Sequence, residues 1–129
     1  MNLQNFNVML INELSKRSGV TVHTLRYYEN IGLIQGKVNE AVKSNNYKDY
    51  DEQLLDRIEM IKEAKEAGFT LAEIKHLLDR LYSGHFPVNE QLQIVDAKIR
   101  EIEAKIIQLK QVKKLLEQVK KDVRNGGCV

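Results

Sequence analysis

Thr21-Val22-His23-Thr24-Leu25-Arg26-Tyr27-Tyr28-Glu29-Asn30-Ile31-Gly32 is the stretch that decides the fold of this chain. The Thr21 hydroxyl is placed to cap a helix from Val22 to Asn30, accepting one of the amides that a helix start leaves unpaired. Gly32 ends that helix. Upstream, Asn12 stands as an N-cap before Glu13-Leu14-Ser15-Lys16-Arg17, and Ser18-Gly19 stops this first helix because glycine takes a positive φ freely. Ile11, Leu14, Val20, Leu25 and Tyr28 can then converge into a small core. Two short helices around a glycine-containing turn are the outline of a helix-turn-helix.

Beyond Leu33 the helical period is lost. Ile34-Gln35-Gly36-Lys37 and Asn45-Asn46-Tyr47-Lys48-Asp49-Tyr50 read as the two sides of a small wing, with Asn45-Asn46 as a turn. The stretch from Val38 to Ser44 is poorly patterned and reads as a mobile loop. Residues 51–82 return to helix. Asp51 is placed to cap a helix carrying Leu54, Leu55, Ile58 and Ile61, which Gly68 closes. Thr70-Leu71-Ala72-Glu73 has capping-box spacing and starts another helix with Ile74, Leu77, Leu78 and Leu81.

Ser83-Gly84-His85-Phe86-Pro87 is the clearest break, because Pro87 cannot continue a helix. One long helix follows, Asn89 to Asp122. Its apolar positions are Leu92, Val95, Ile99, Ile102, Ile106, Leu109, Val112, Leu116, Val119 and Val123, a heptad pattern with one slip after Leu109. Such a helix is roughly 50 Å long, and the chain has no second helix of that length to cover its stripe. A partner chain is expected to cover it. The organisation is therefore mainly α. A winged helix-turn-helix domain with a second helical pair spans 1–82, a linker 83–88, a coiled-coil dimerisation helix 89–122 and a flexible tail 123–129.

Composition narrows the function. The chain has 129 residues, 43% hydrophobic and 29% charged, with one proline and seven glycines, too few turn formers for an all-β sandwich. No run of 18 apolar residues is available for a membrane span, and no basic-then-apolar start marks a secretory signal. The single cysteine excludes an intrachain disulfide and points to a reducing compartment. Net charge is only +2, with six Lys/Arg against four Asp/Glu in residues 1–50. DNA binding would thus rest on placed contacts rather than bulk charge. There is no glycine-rich phosphate loop, no metal-ligand cluster and no Cys/His pair close in sequence, so an enzyme is not expected.

Leu25-Arg26-Tyr27-Tyr28-Glu29-Asn30-Ile31-Gly32-Leu33-Ile34 closely resembles the signature of the MerR family of bacterial transcription regulators. So do Ala64-Lys65-Glu66-Ala67-Gly68-Phe69-Thr70-Leu71-Ala72-Glu73-Ile74 and the wing segment Asn46-Tyr47-Lys48-Asp49-Tyr50-Asp51. The likeness covers most of residues 8–81. It implies a cytoplasmic, bacterial, sequence-specific regulator that pairs as an antiparallel coiled-coil homodimer. Such a dimer would hold a near-palindromic promoter and, on meeting an effector, distort it so that RNA polymerase engages. The wing departs from the family's frequent Asn-Gly-Tyr-Arg: here it is Asn45-Asn46-Tyr47-Lys48, and lysine lacks bidentate geometry. The alternative is a coiled-coil interaction module with weak or vestigial DNA binding.

On this reading Thr21, Val22, His23 and Thr24 face base edges at the start of the second helix. Arg26 and Tyr27 suit phosphate or groove-edge contacts, while Tyr28 is core. Lys16 and Arg17 close the first helix near the DNA backbone, Lys37, Lys43, Tyr47 and Lys48 belong to the wing, and Lys62 and Lys65 reach phosphates from the second helical pair. The stripe from Leu92 to Val119 is the dimer interface. His76 is a surface or half-buried structural residue. The family's metal sensors carry a cysteine near the start of the long helix and two more past its end. Here Pro87, Val88 and Asn89 occupy the start, and one thiolate cannot supply a soft-metal site. Cys128 is open to three readings: a spectator thiol, a redox or electrophile sensor, or half of a site completed by His85 of a second copy. No resident cofactor is expected, and the effector, operator and sign of regulation stay open.

Overall fold

The computed structural model describes residues 8–38 and 48–127. The chain divides into two compact units, residues 1–84 and residues 85–129. In the first, strand β1 (Val8–Met9) leads into helices α1 (Ile11–Ser18) and α2 (Val22–Asn30). Strands β2 (Lys37–Val38) and β3 (Lys48–Asp51) follow, then helices α3 (Gln53–Glu66) and α4 (Leu71–Tyr82). The second unit is built on α5 (Val88–Arg124). The three short strands form an antiparallel sheet in the order β1-β3-β2, with Met9 opposite Tyr50 and Val38 opposite Lys48.

The first unit is organised by one core. Leu14 from α1, Leu25 and Tyr28 from α2, Tyr50 from β3, Ile58 and Ile61 from α3, and Ile74 and Leu78 from α4 are all buried in it. These side chains recur at helical spacing within each element, so each helix turns one apolar face inward. Ile11, Val20 and Leu55 pack against the edge of this cluster.

The turn between α1 and α2 is closed from both sides. Gly19 sits at φ 75°, and its N–H donates to Ser15 O at 3.0 Å. Ser15 Oγ donates to Val20 O at 2.6 Å, and Val20 N–H donates to Ser18 Oγ at 3.2 Å. Thr21 caps α2 as expected, accepting from Thr24 N at 3.1 Å. Thr70 and Glu73 complete a reciprocal capping box at α4, with bonds of 3.1 and 2.9 Å.

Four expectations are corrected. Asn12 does not cap α1: the helix starts at Ile11, and the N-cap position is Leu10, whose side chain has no polar atom to offer. Asp51 serves α3 from one residue further out than a cap, accepting from Gln53 N at 2.9 Å, while Glu52 holds the N-cap position. Ile34 is a core residue rather than the start of a wing strand. The turn ending α2 brings Leu33 N and Ile34 N onto Tyr28 O, at 2.8 and 3.4 Å, and drives both side chains inward. Accordingly β2 starts at Lys37 rather than Ile34, β3 runs one residue past its expected end to Asp51, and β1 joins them as a third strand. Most of the loop expected at 38–44 lies outside the described residues, as does the turn at Asn45-Asn46.

In the second unit α5 begins directly after Pro87, whose carbonyl accepts from Glu90 N and Gln91 N at 3.0 and 3.1 Å. It runs one residue earlier and two later than its expected bounds, a length of about 55 Å. Glu90 lies in the first turn and Lys121 and Arg124 in the last, the arrangement that complements a helix dipole. Leu92, Val95, Ile99, Ile102, Ile106, Leu109, Val112, Leu116, Val119 and Val123 are each at least 40% exposed. Among the described residues no helix is long and apolar enough to cross a membrane.

Candidate nucleic-acid interface

Helix α2 has two unlike faces. Leu25 is fully buried and Tyr28 nearly so, and together they fix the helix to the core. The opposite face carries His23, Arg26, Tyr27 and Asn30, all exposed and spaced three, four and seven residues apart. Tyr27 is 50% exposed although its ring centroid lies 6.5 Å from that of Tyr28. The paired tyrosines thus divide as expected, one outward and one into the core. Val22 and Thr24 are half-buried. Thr21 is exposed, but its hydroxyl is engaged at the helix start, where it also donates to Thr24 Oγ1 at 3.0 Å.

The basic residues fall into two groups. Lys16, Arg26 and Lys37 are exposed, as is Arg17, which forms an ion pair with Glu52 at 2.6 Å. Both partners of that pair are well solvated, so it is easily exchanged for another anion. The second group has partners within the fold. Lys62 Nζ donates to Ser18 O at 3.1 Å and lies 3.7 Å from Glu59. Lys65 Nζ is 3.4 Å from Tyr28 Oη and 5.8 Å from its ring centroid. Lys48 pairs with Glu29. Lys43, Tyr47 and Cys128 lie outside the described residues. His85 is exposed just ahead of α5.

Two further residues emerge from the structure. Glu29, half-buried at the end of α2, accepts from Lys48 Nζ and from Tyr50 Oη, the latter at 2.7 Å. Lys48 and Tyr50 alternate on β3 and so share one face of the strand. Burial, then the hydrogen bond to Glu29 and its negative charge, push the Tyr50 phenol well above the ordinary tyrosine range. Arg57 Nε donates to Leu33 O at 2.7 Å, its guanidinium lies 5.2 Å from the Tyr82 ring centroid, and Asp79 is 3.9 Å away. It ties α3 and α4 to the turn that follows α2. The only sequence signal for these roles is the i, i+2 spacing of Lys48 and Tyr50. Nothing local points to partners 19 to 24 residues away.

A helix held by its apolar face beneath an exposed face of His, Arg, Tyr and Asn, flanked by basic groups and a short-stranded sheet, defines a winged helix-turn-helix DNA-binding protein. The comparisons agree. The model of the MerR HTH family of regulatory proteins matches residues 9–81, and that of the MerR DNA-binding region matches residues 55–119. The chain belongs to the MerR family, whose members are DNA-binding transcription regulators. It is 34% identical to the mercuric resistance operon regulatory protein of Bacillus cereus over 110 residues, covering 85% of this chain and 81% of that one. It is 32% identical to the HTH-type transcriptional regulator ZntR of Escherichia coli K12 over 119 residues, covering 92% and 79%. The fold matches the transcription regulator PbrR691 of Ralstonia metallidurans, solved in complex with lead(II). The TM-score is 0.78 at 29% identity, over 88% of this chain and 87% of that one.

Proposed function

We propose that this regulator acts as a homodimer paired through α5, binds an inverted repeat in a promoter, and switches transcription by deforming that DNA so that RNA polymerase engages it. The observation that carries the reading is the division of α2. Leu25 and Tyr28 hold the helix in place, and His23, Arg26 and Tyr27 stand together on its outer face. His23 offers ring nitrogens to base edges, and Arg26 and Tyr27 offer a charged fork and a phenol to phosphates or the groove edge. Lys16, Arg17 and Lys37 supply charge beside that helix. Lys62 and Lys65 steady the turn and the core tyrosine, and reach phosphates only by exchanging those contacts.

Dimerisation follows from α5. Ten aliphatic side chains recur at heptad spacing and stay exposed along it. A second copy covers such a stripe and places two α2 helices for the two halves of a repeat.

The effector is a separate matter. The Bacillus cereus relative is named for mercury resistance, and soft metals are held by several thiolates. This chain has one cysteine, Cys128. Among the described residues no three His, Cys, Asp or Glu side chains come together around a metal position. The donor set does not fit a thiolate-rich site within one chain.

The test is selection of binding sites from a random duplex library by the full chain, followed by titration of the selected duplex at several salt concentrations. Recovery of one inverted repeat, with affinity falling steeply as salt rises, supports the reading. Recovery of no sequence, with only weak salt-sensitive binding, contradicts it.

A further inference from the structure

The wing and the DNA-facing helix are joined at one carboxylate. Glu29 closes the last turn of α2, and both of its oxygens are engaged by β3. One accepts from Lys48 Nζ and the other from Tyr50 Oη at 2.7 Å. Its side chain is only 16% exposed, whereas that of Lys48 is 40% exposed. The Tyr50 ring closely approaches the backbone at Gly36, just before β2. A Cβ placed on Gly36 would meet Tyr50 Cε1 at 2.6 Å, so only glycine lets the backbone come this close. One ring and one carboxylate therefore hold the end of α2, the strand β3 and the approach to β2 in a single arrangement. None of Glu29, Tyr50 or Gly36 belongs to the exposed face that meets DNA.

We propose that Glu29 is a positioning residue that fixes the stance of the β2–β3 wing relative to α2, so that wing and helix meet the same stretch of DNA in register. The inference rests on the regulator reading above. It gives Lys48 a role different from its expected phosphate contact. Lys48 is the counter-charge that holds Glu29, and among the described residues the exposed Lys37 on β2 is left as a phosphate-facing cation of the wing. Phosphate contacts at the wing then depend on Glu29 although Glu29 touches no DNA.

The experiment uses the full chain and the inverted repeat selected by the wild-type protein. Phosphate-ethylation interference is mapped for wild type, Glu29→Gln, Lys48→Met, Lys48→Arg and the double variant Glu29→Gln/Lys48→Met, with thermal melts alongside. Glutamine keeps an acceptor for Tyr50 but loses the charge that holds Lys48.

The proposal expects loss of the outer, wing-side interference in Glu29→Gln and Lys48→Met, with the inner, α2-side pattern intact and melting unchanged. Affinity falls about tenfold in each, and the double variant falls no further, because the two residues act as one unit. Lys48→Arg restores the wild-type pattern. Three results overturn it: unchanged interference, inner and outer contacts weakening together with a lowered melting temperature, or tighter binding with a steeper salt dependence. The last would mean that Glu29 merely shields Lys48 from phosphate. A wild-type chain that selects no repeat overturns the regulator reading and this inference with it.

Discussion

The two units of this chain solve the burial problem in opposite ways. The first turns its large aliphatic residues inward: Leu14, Leu25, Leu33, Ile58, Ile61 and Ile74 are fully buried in a core shared by six elements. The second lines up ten aliphatic side chains along 37 helical residues and leaves every one of them at least 40% exposed. A stripe of that regularity has no structural use to a single helix in water. Residues 1–84 thus carry their own stabilising core, while the stripe of α5 stays exposed within the single chain. On the proposed function the self-sufficient unit meets DNA, and the dependent one, paired with a second copy, sets the spacing of two such units.

The largest expected effect comes from breaking the dependent unit. A carboxylate in the middle of the stripe, Ile106→Asp, splits the dimer and removes the advantage of binding two half-sites at once. Affinity for the full repeat falls by about 10²–10⁴-fold, while the melting of the first unit is unaffected. Sedimentation equilibrium and circular dichroism check the two halves of that statement. A dimer that persists, or a first unit that melts early, breaks the contrast drawn here.

Next in size is damage to the self-sufficient unit. Ile58→Ala opens a cavity in a fully buried site and costs about 2–5 kcal/mol of stability. Chemical denaturation of residues 1–84 measures it. A loss under 1 kcal/mol would show that the core is far looser than its burial indicates.

Arg26→Ala sharpens the comparison, because it alters the outer face of α2 and leaves the inner face alone. It weakens DNA binding by about 1–3 kcal/mol and leaves the denaturation curve where it was. Unchanged binding would mean that the exposed face of α2 is turned away from DNA.

The smallest effect lies at the joint between helix and wing. Tyr50 is an acid whose folded pKa is raised, so the folded state keeps its proton while the unfolded chain loses it above about pH 10. Its stabilising contribution is complete below that pH and is lost as the pH rises further. Spectrophotometric titration shows a phenol ionising above the ordinary range, and Tyr50→Phe removes that step and flattens the alkaline loss of stability. A wild-type titration without such a step contradicts the burial and hydrogen bonding described for Tyr50.

Much of this fold was legible because its signals are local. Thr21 and Thr70 cap helices with partners three residues away, and the stripe of α5 repeats within each seven residues. The heptad pattern even implied exposure within one chain, since nothing else in the sequence was long enough to cover it. What was not legible depends on tertiary contact. Asn12 looked like a cap by composition, but the antiparallel pairing of Met9 with Tyr50 commits Met9 to strand and starts the helix directly after Leu10. Ile34 resembled a strand residue until the turn after α2 drew it into the core.

The candidate interface divides in the same way. The sequence grouped Thr21, Val22, His23 and Thr24 by their place at the helix start, whereas the folded helix half-buries Val22 and Thr24 and turns His23, Arg26 and Tyr27 outward together. Lys48, Lys62 and Lys65 looked equivalent to the other lysines in sequence, yet their partners Glu29, Ser18 and Tyr28 lie 19, 44 and 37 residues away. Charge is visible in a sequence, but its neutralising partner is visible only in the fold.

The central claim is that residues 1–84 read one half-site while α5 joins two such readers. It is tested most directly by titrating wild type and Ile106→Asp onto two duplexes, the full selected inverted repeat and a single half-site. Wild type should prefer the full repeat by about 10²-fold or more, and the variant should bind both duplexes with the weak affinity of one half-site. A variant that retains the wild-type preference for the full repeat would contradict the account.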